Sequence, residues 1–227
     1  FCRVFITIPD YRTNKIVLSL SSPIFRLSKF NPVLMKFPIN FFSNTHIKKL
    51  IILDGKVSHK LTTPINQSDD SSGLFFLNGA GVENVIIDDG ITELGTESLY
   101  SLDIKSITLP NTIARIGNEA LQYNELTSLT IPASVETIGN NAFYQNQITT
   151  INFESNSKLK TIGSNAFESN KLTDTGLSKL PSSLTSLATN AFYSNSDLTQ
   201  ITLTSPKDLP GWPNGGTVDG KTVIYER

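Results

Sequence analysis

Cysteine occurs once in the chain, as Cys2, so no disulfide can close within it. A fold that manages without disulfides suits the cytosol or a bacterial surface. Histidine occurs only as His46 and His59, and neither stands in a His-Glu-x-x-His pattern or a Cys/His zinc spacing. No Gly-x-Ser-x-Gly elbow is present, and Gly79-Ala80-Gly81 lacks the third glycine of a dinucleotide fingerprint. No phosphate-binding loop is expected either. Asp69-Asp70 and Asp88-Asp89-Gly90 do not continue into a twelve-residue calcium loop with a terminal Glu, which makes them solvated turn acids. These absences leave no catalytic residue, metal or cofactor to assign, and the chain reads as a non-enzyme.

Charge of one sign is missing too. Lys and Arg number 19 against 20 Asp and Glu, a net charge of −1, which argues against a nucleic-acid partner. Lys48, Lys49, Lys56 and Lys60 are the nearest approach to a basic cluster, and their spacing is that of a solvated face. The longest aliphatic run is Leu50-Ile51-Ile52-Leu53, far short of the ~20 residues a membrane helix needs. Direct membrane insertion is therefore not expected. The first residue is Phe1 and no charged-then-apolar signal follows it, so the expectation is a trimmed fragment whose export signal and anchor lie elsewhere. With 38% hydrophobic and 17% charged residues, the chain has the composition of a folded protein.

What is present is a period. Ile138-Gly139-Asn140-Asn141-Ala142-Phe143 returns as Ile162-Gly163-Ser164-Asn165-Ala166-Phe167. Weaker copies stand at Leu94-Gly95 with Leu99, Ile116-Gly117 with Ala120-Leu121, and Leu187-Ala188 with Ala191-Phe192. The alanine position, Ser98 in the first copy, advances in steps of 22, 22, 24 and 25 residues. A second phrase keeps step with it: apolar residues recur as Val82, Val85, Ile87; Ile104, Ile107, Leu109; Leu126, Leu129, Ile131; Ile148, Ile151, Phe153; and Leu198, Ile201, Leu203. Leu172, Leu177 and Leu180 form a stretched copy with slipped spacing.

The chemistry of one unit follows from this pattern. Alternation of the kind Ile107-Thr108-Leu109 reads as a half-buried strand. Pro110, Pro132 and Pro181 follow three of the strands and end them, since proline cannot donate to the next ladder bond. A second short extended piece leads to Ile116, Ile138 or Ile162. The glycine after it is expected to permit a backbone turn that a side chain forbids, and the Asn-Ala-Phe segment is expected to be a single helical or 3₁₀ turn. One unit cannot bury its own apolar side, but stacked units cover one another.

The phrase from Leu126-Thr127-Ser128-Leu129-Thr130-Ile131-Pro132 through Val135, Ile138-Gly139 and Ala142-Phe143 resembles the BspA-like leucine-rich repeat. The resemblance covers about 120 residues. That family commonly has cysteine four residues after the alanine, where this chain has Asn124, Asn146, Asn170 and Asn195, with Leu102 in the first unit. An amide both donates and accepts, so these asparagines are expected to bond the backbone of adjacent turns as an internal ladder. The resemblance implies a right-handed leucine-rich-repeat solenoid, mainly β, with N- and C-terminal capping elements. It also implies a bacterial surface or secreted protein engaged in adhesion or partner binding.

The expected organisation has three parts. Residues 1–80 form an N-terminal cap, with Phe5-Ile6-Thr7-Ile8 and Ile16-Val17-Leu18-Ser19-Leu20 as a hairpin or decayed repeat strands. A degenerate unit near 47–55 matches Ile47-Lys48-Lys49-Leu50-Ile51-Ile52 to Val82-Glu83-Asn84-Val85-Ile86-Ile87, and residues 62–73 have loop composition. Residues 81–205 hold five to six repeats. Residues 206–227 form a capping hairpin with its turn at Asp219-Gly220, and Trp212, the sole tryptophan, covers the open end.

Between the apolar strand positions stand outward residues that are mostly hydroxyl- or amide-bearing: Lys105, Ser106, Thr108; Thr127, Ser128, Thr130; Thr149, Thr150, Asn152; and Thr199, Gln200, Thr202. Such a face suits a protein read by hydrogen bonds or a glycan read by its hydroxyls, although threonine also simply suits exposed strands. Tyr100, Tyr144 and Tyr193 stand two places past the alanine position, with Tyr123 one step off; they are candidate anchors or packing groups along the turns. The partner-binding candidates are Thr108, Thr127, Thr130, Thr149, Asn152, Thr202, Tyr144 and Tyr193. The expected partner is a protein or glycan on a host or neighbouring cell, met outside the cell. A passive spacer or stalk within a larger surface protein is the alternative.

Overall fold

The computed structural model describes residues 24–28, 49–53, 59–61, 81–87, 89 and 91–227. The expected hairpin within 5–20, the loop at 62–73 and the first twenty-three residues of the cap lie outside them. The architecture is a β-solenoid of about six turns. Each turn has three sides: a strand, a shorter second strand, and a stack of tight turns.

The first side is built from β1 (Ile24–Ser28), β2 (Lys49–Leu53), β4 (Asn84–Ile87) and β6 (Ser106–Thr108), paired in that order in one parallel sheet. β8 (Ser128–Ile131) lies beside β6 and pairs in parallel with β10 (Thr150–Phe153). β13 (Gln200–Leu203) pairs in parallel with β15 (Lys221–Tyr225). The second side is one six-stranded parallel sheet of β3 (His59–Leu61), β5 (Ile91–Leu94), β7 (Arg115–Ile116), β9 (Thr137–Ile138), β11 (Thr161–Ile162) and β12 (Ser186–Leu187). β2 meets β4 with Lys49 opposite Asn84 and Ile52 opposite Ile87, the same offset as the spacing match in the sequence.

The interior follows from the apolar period. In one unit Leu126, Leu129, Ile131, Val135, Ile138, Ala142 and Phe143 are all 4% exposed or less, and each covers its counterpart in the next unit. Phe143 stacks on Phe167 with ring centroids 5.2 Å apart and planes 2° from parallel; Phe167 stacks on Phe192 at 5.4 Å and 7°. The prolines end the first-side strands and also begin the next corner. Pro110, Pro132 and Pro181 carbonyls accept from Ile113, Val135 and Leu184 N–H, closing a tight turn each time.

The third side differs from its expectation. Among the described residues there is no helix, and the Asn-Ala-Phe segment is a pair of tight turns. Ser98 N–H bonds Gly95 O and Tyr100 N–H bonds Glu97 O, whereas Glu97, Leu99 and Ser101 donate forward to Asn118, Ala120 and Gln122 carbonyls of the next unit. Every second amide thus leaves its own turn, and no i→i−4 bond can form. Left-handed φ angles at Glu97, Glu119, Asn141 and Asn165 (53° to 57°) break any helical path.

The glycines serve closeness rather than a special backbone angle. Gly117, Gly139 and Gly163 have no positive φ. A Cβ on Gly139 would lie 2.7 Å from both the Gly117 carbonyl carbon and the Asn118 nitrogen, so the preceding turn leaves no room for a side chain. The repeat also slips once. The stretched copy contributes no strand but two single-residue parallel bridges, Ile151 to Leu177 and Leu180 to Leu203.

At the far end β14 (Thr217–Val218) pairs antiparallel with β15 through a two-residue turn, with Asp219 at φ 50° and Gly220 at 77°. Two left-handed residues in succession make the hairpin turn that matches strand twist. Trp212 is 1% exposed and donates its indole N–H to Leu187 O at 2.9 Å, so it belongs to the interior and offers no ring to a ligand.

Candidate functional site

The asparagines form the internal ladder their chemistry suggests. Asn146 Oδ1 accepts from Leu126 N–H (3.1 Å), and its Nδ2 donates to Leu121 O (2.9 Å) and Phe143 O (3.1 Å). Asn124 Nδ2 shares Leu121 O (3.0 Å), and Asn170 Nδ2 shares Phe143 O (2.9 Å). Asn195 continues the run through Phe167 O and Phe192 O. All four residues are buried, so these amides belong to the scaffold rather than to a ligand face.

The outward strand residues form columns along the first side. Asn152 sits opposite Thr130 and Thr150 opposite Ser128 in the parallel register of β10 and β8. Thr108, in β6, holds the same place one unit earlier, and these side chains are exposed. Thr127 and Thr149 are exposed in the column beside them; Thr149 donates its hydroxyl to Thr127 O at 3.1 Å as well as its N–H at 2.9 Å. Thr202 does not join the group. It is half-buried opposite Ile224, and the slipped copy separates it from Asn152.

The slip is bridged by Asp174, a residue that belongs to neither repeated phrase. In regular units the carbonyl of Glu83 or Thr127 receives the amides at the start of the next strand. Where the stretched copy lacks that carbonyl, Asp174 Oδ1 accepts Thr199 N–H (2.6 Å) and Gln200 N–H (3.0 Å), and Oδ2 accepts the Thr199 hydroxyl. The Thr199 hydroxyl and the two amides hold the Asp174 carboxyl below its ordinary value, because each donates to the charged form.

The tyrosines lie on the third side. Tyr123 stands edge-on between Tyr100 (5.4 Å, 86°) and Tyr144 (5.7 Å, 80°), so these three pack on one another along the turns. Burial, reinforced by Glu119, pushes the Glu97 carboxyl beside them upward. Tyr193 is not part of this row: Glu168 holds the intervening place, and Tyr193 is 51% exposed.

The C-terminal hairpin corrects the expectation that the chain holds no phosphate-loop string. Gly215, Gly220, Lys221 and Thr222 have the spacing of a phosphate-binding loop. Here they lie in and beside a β-hairpin with no helix after them, so the helix N-terminus that gives such loops their anion affinity is missing. Among the described residues no group of three or more His, Cys, Asp or Glu is placed to hold a metal ion, and no helix is long and apolar enough to cross a membrane.

Parallel strands stacked at a regular period, with a buried amide ladder and exposed polar columns, define a repeat scaffold of the leucine-rich class. Residues 115–208 match the model of the BspA type leucine rich repeat region in six copies. No curated protein matches the chain. Among solved structures it is similar to a leucine rich cell surface protein from Faecalibacterium prausnitzii, with 21% identity over 66% of this chain and 48% of that one, at a TM-score of 0.41. It is also similar to a leucine-rich repeat protein from Bacteroides ovatus, with 16% identity over 79% of this chain and 61% of that one, at a TM-score of 0.35. The chain spans less than two thirds of the length of either.

Proposed function

We propose that this chain is a binding module of a bacterial cell-surface or secreted protein, adhesin-like, which holds a protein or glycan partner outside the cell. The observation that carries the reading is the exposed column Thr108, Thr130, Asn152, flanked by Thr127 and Thr149. Parallel pairing fixes these side chains at about the 4.8 Å strand spacing, so hydroxyl and amide groups are presented at regular intervals on a rigid backing. Their preorganisation lowers the entropy cost of binding, and little charge has to be stripped of water.

The test is a screen of the purified chain against extracellular-matrix and glycan arrays, with Thr130→Lys as the control. A lysine in mid-column places a long charged chain over the face without touching the core. A hit that disappears in the variant supports the strand face. A hit that survives it moves binding elsewhere on the module. Silence on both arrays favours a passive spacer, a role for which the stacked phenylalanines and continuous amide ladder also provide stiffness.

A further inference from the structure

At the junction of the last repeat and the C-terminal hairpin lies an open groove of 540 Å³, lined among others by Tyr193, Ser196, Thr199, Asp219, Gly220 and Lys221. Its parts come from segments 20 to 30 residues apart in sequence, and nothing in the repeat pattern requires them to converge.

Each part is unspent. The Tyr193 ring is half exposed and has no aromatic partner among the described residues, unlike the Tyr100, Tyr123, Tyr144 row. Lys221 is 5% exposed, yet its ammonium makes one hydrogen bond, to Asp219 O at 3.2 Å. An ammonium has three N–H donors, so a buried cation faces the groove with donors to spare. Burial lowers the Lys221 pKa against the opposing pull of Asp219, as expected for a poorly solvated cation. The Asp219 carboxylate is exposed on the hairpin turn and accepts no hydrogen bond among the described residues. The Thr199 hydroxyl donates its hydrogen bond to Asp174, which leaves its oxygen free to accept.

We propose that this groove binds a neutral pyranose unit of a glycan. The sugar's C–H face lies on the Tyr193 ring, two of its hydroxyls donate to Asp219, and another accepts from Lys221. An apolar ring face beside convergent donors and acceptors is the chemistry of a sugar, which is apolar on its faces and hydroxylated round its edge. The charges decide between neutral and anionic sugars. Asp219, Asp174 near Thr199, and Glu168 near Asp219 outnumber the single Lys221, so a uronic or sialic acid, or a phosphate, meets net repulsion. The inference rests on the reading of the chain as a binding module, and it names a partner class and a second place on that module.

The experiment is a titration of the ¹⁵N-labelled chain with neutral methyl pyranosides, followed by amide shifts, and repeated with glucuronate, sialic acid and inorganic phosphate. Shifts confined to the amides of Tyr193, Ser196, Thr199 and Asp219–Lys221 are expected with at least one neutral sugar. Tyr193→Ala and Asp219→Asn, both at exposed positions, should each weaken binding about tenfold or more. Lys221→Met should do the same where it folds, but the two exposed variants decide the matter. Absence of shifts with every neutral pyranoside, persistence of binding in Tyr193→Ala, or tighter binding of an anion overturns the proposal. Thr130→Lys separates the two sites. Sugar binding that survives it supports the groove. A protein partner lost in it, with no sugar bound, sinks the groove and leaves the module reading standing.

Discussion

Removing the amide from Asn124 should destabilise the chain far more than the same change at Asn146, although both residues are buried asparagines in equivalent positions. Asn124 Oδ1 receives two amides, Leu102 N–H (3.1 Å) and Ile104 N–H (3.0 Å), and its Nδ2 is the amide that reaches Leu99 O (2.9 Å). Asn124→Ala therefore orphans two donors and one acceptor in the interior, while Leu121 O remains bonded by Asn146. At about 1–3 kcal/mol per orphaned group, with relaxation favouring the lower half, the loss is about 3–6 kcal/mol. Asn146→Ala orphans only Leu126 N–H, because Asn124 keeps Leu121 O and Asn170 keeps Phe143 O, so its loss is about 1–3 kcal/mol. Both changes delete the same atoms, and the cavity contribution cancels in the comparison. The double variant removes both donors from Leu121 O and should exceed the sum of the singles by about 1–3 kcal/mol. Urea unfolding followed by far-ultraviolet circular dichroism measures all three. Equal costs for the two singles, or strict additivity in the double, would refute the shared-carbonyl ladder.

Ser98 occupies the position held elsewhere by Ala120, Ala142, Ala166 and Ala191; it is 1% exposed and its hydroxyl has no partner. Ser98→Ala should raise stability by about 1 kcal/mol, seen as a higher unfolding midpoint. Gly139→Ala drives a Cβ to 2.7 Å from backbone atoms of the preceding turn and should cost about 1–3 kcal/mol or more, whereas the equivalent position one unit past Gly163 already carries Ala188, where Ala188→Gly should change little. Asp174 has its pKa lowered in the fold, so its contribution is present above the unfolded value of about 4 and is lost as pH falls through the lower folded value. Acid titration by NMR should loosen Thr199 and Gln200 amides below about pH 4 before the Phe143 region responds, and Asp174→Asn should flatten that dependence.

The period was legible because it is written twice in each unit, once in the strand and once around the alanine, and both phrases answer to burial. The ladder was legible for a similar reason: an amide recurring at one buried position has few ways to satisfy its bonds except the neighbouring backbone. The third side was not. Whether Asn-Ala-Phe coils into a helix depends on where its amides donate, and half of them go to the next unit, a partner some 22 residues away. Asn141 and Asn165 hinted at left-handed angles, but Glu97 and Glu119 hold the same angle without the usual chemistry for it. The glycine position was legible while its cause was not, since close approach between turns leaves no local mark. Of the candidate face, Thr108, Thr127, Thr130, Thr149 and Asn152 could be placed by alternation alone. Thr202 fell away because a slip upstream shifts everything after it, and Asp174 and the Lys221 groove arise from contacts between units that a single period does not encode.

Each asparagine reaches back to the unit before it, through Oδ1 to a backbone amide and through Nδ2 to a carbonyl, besides bonding its own turn. A unit is thus completed by its successor, and the array has a direction as a roof of overlapping tiles does. Stripping units from the C-terminal side strands a backbone donor in the unit left behind, such as Leu172 N–H once Asn195 is gone. Stripping them from the N-terminal side frees the asparagine's own amide, which can swing into water, and unpairs strand amides such as Lys105 N–H once Glu83 is gone. The ladder therefore adds about 1–3 kcal/mol to the loss of a unit from the C-terminal side, over and above the backbone bonds lost from either side, and the hairpin sits at that end.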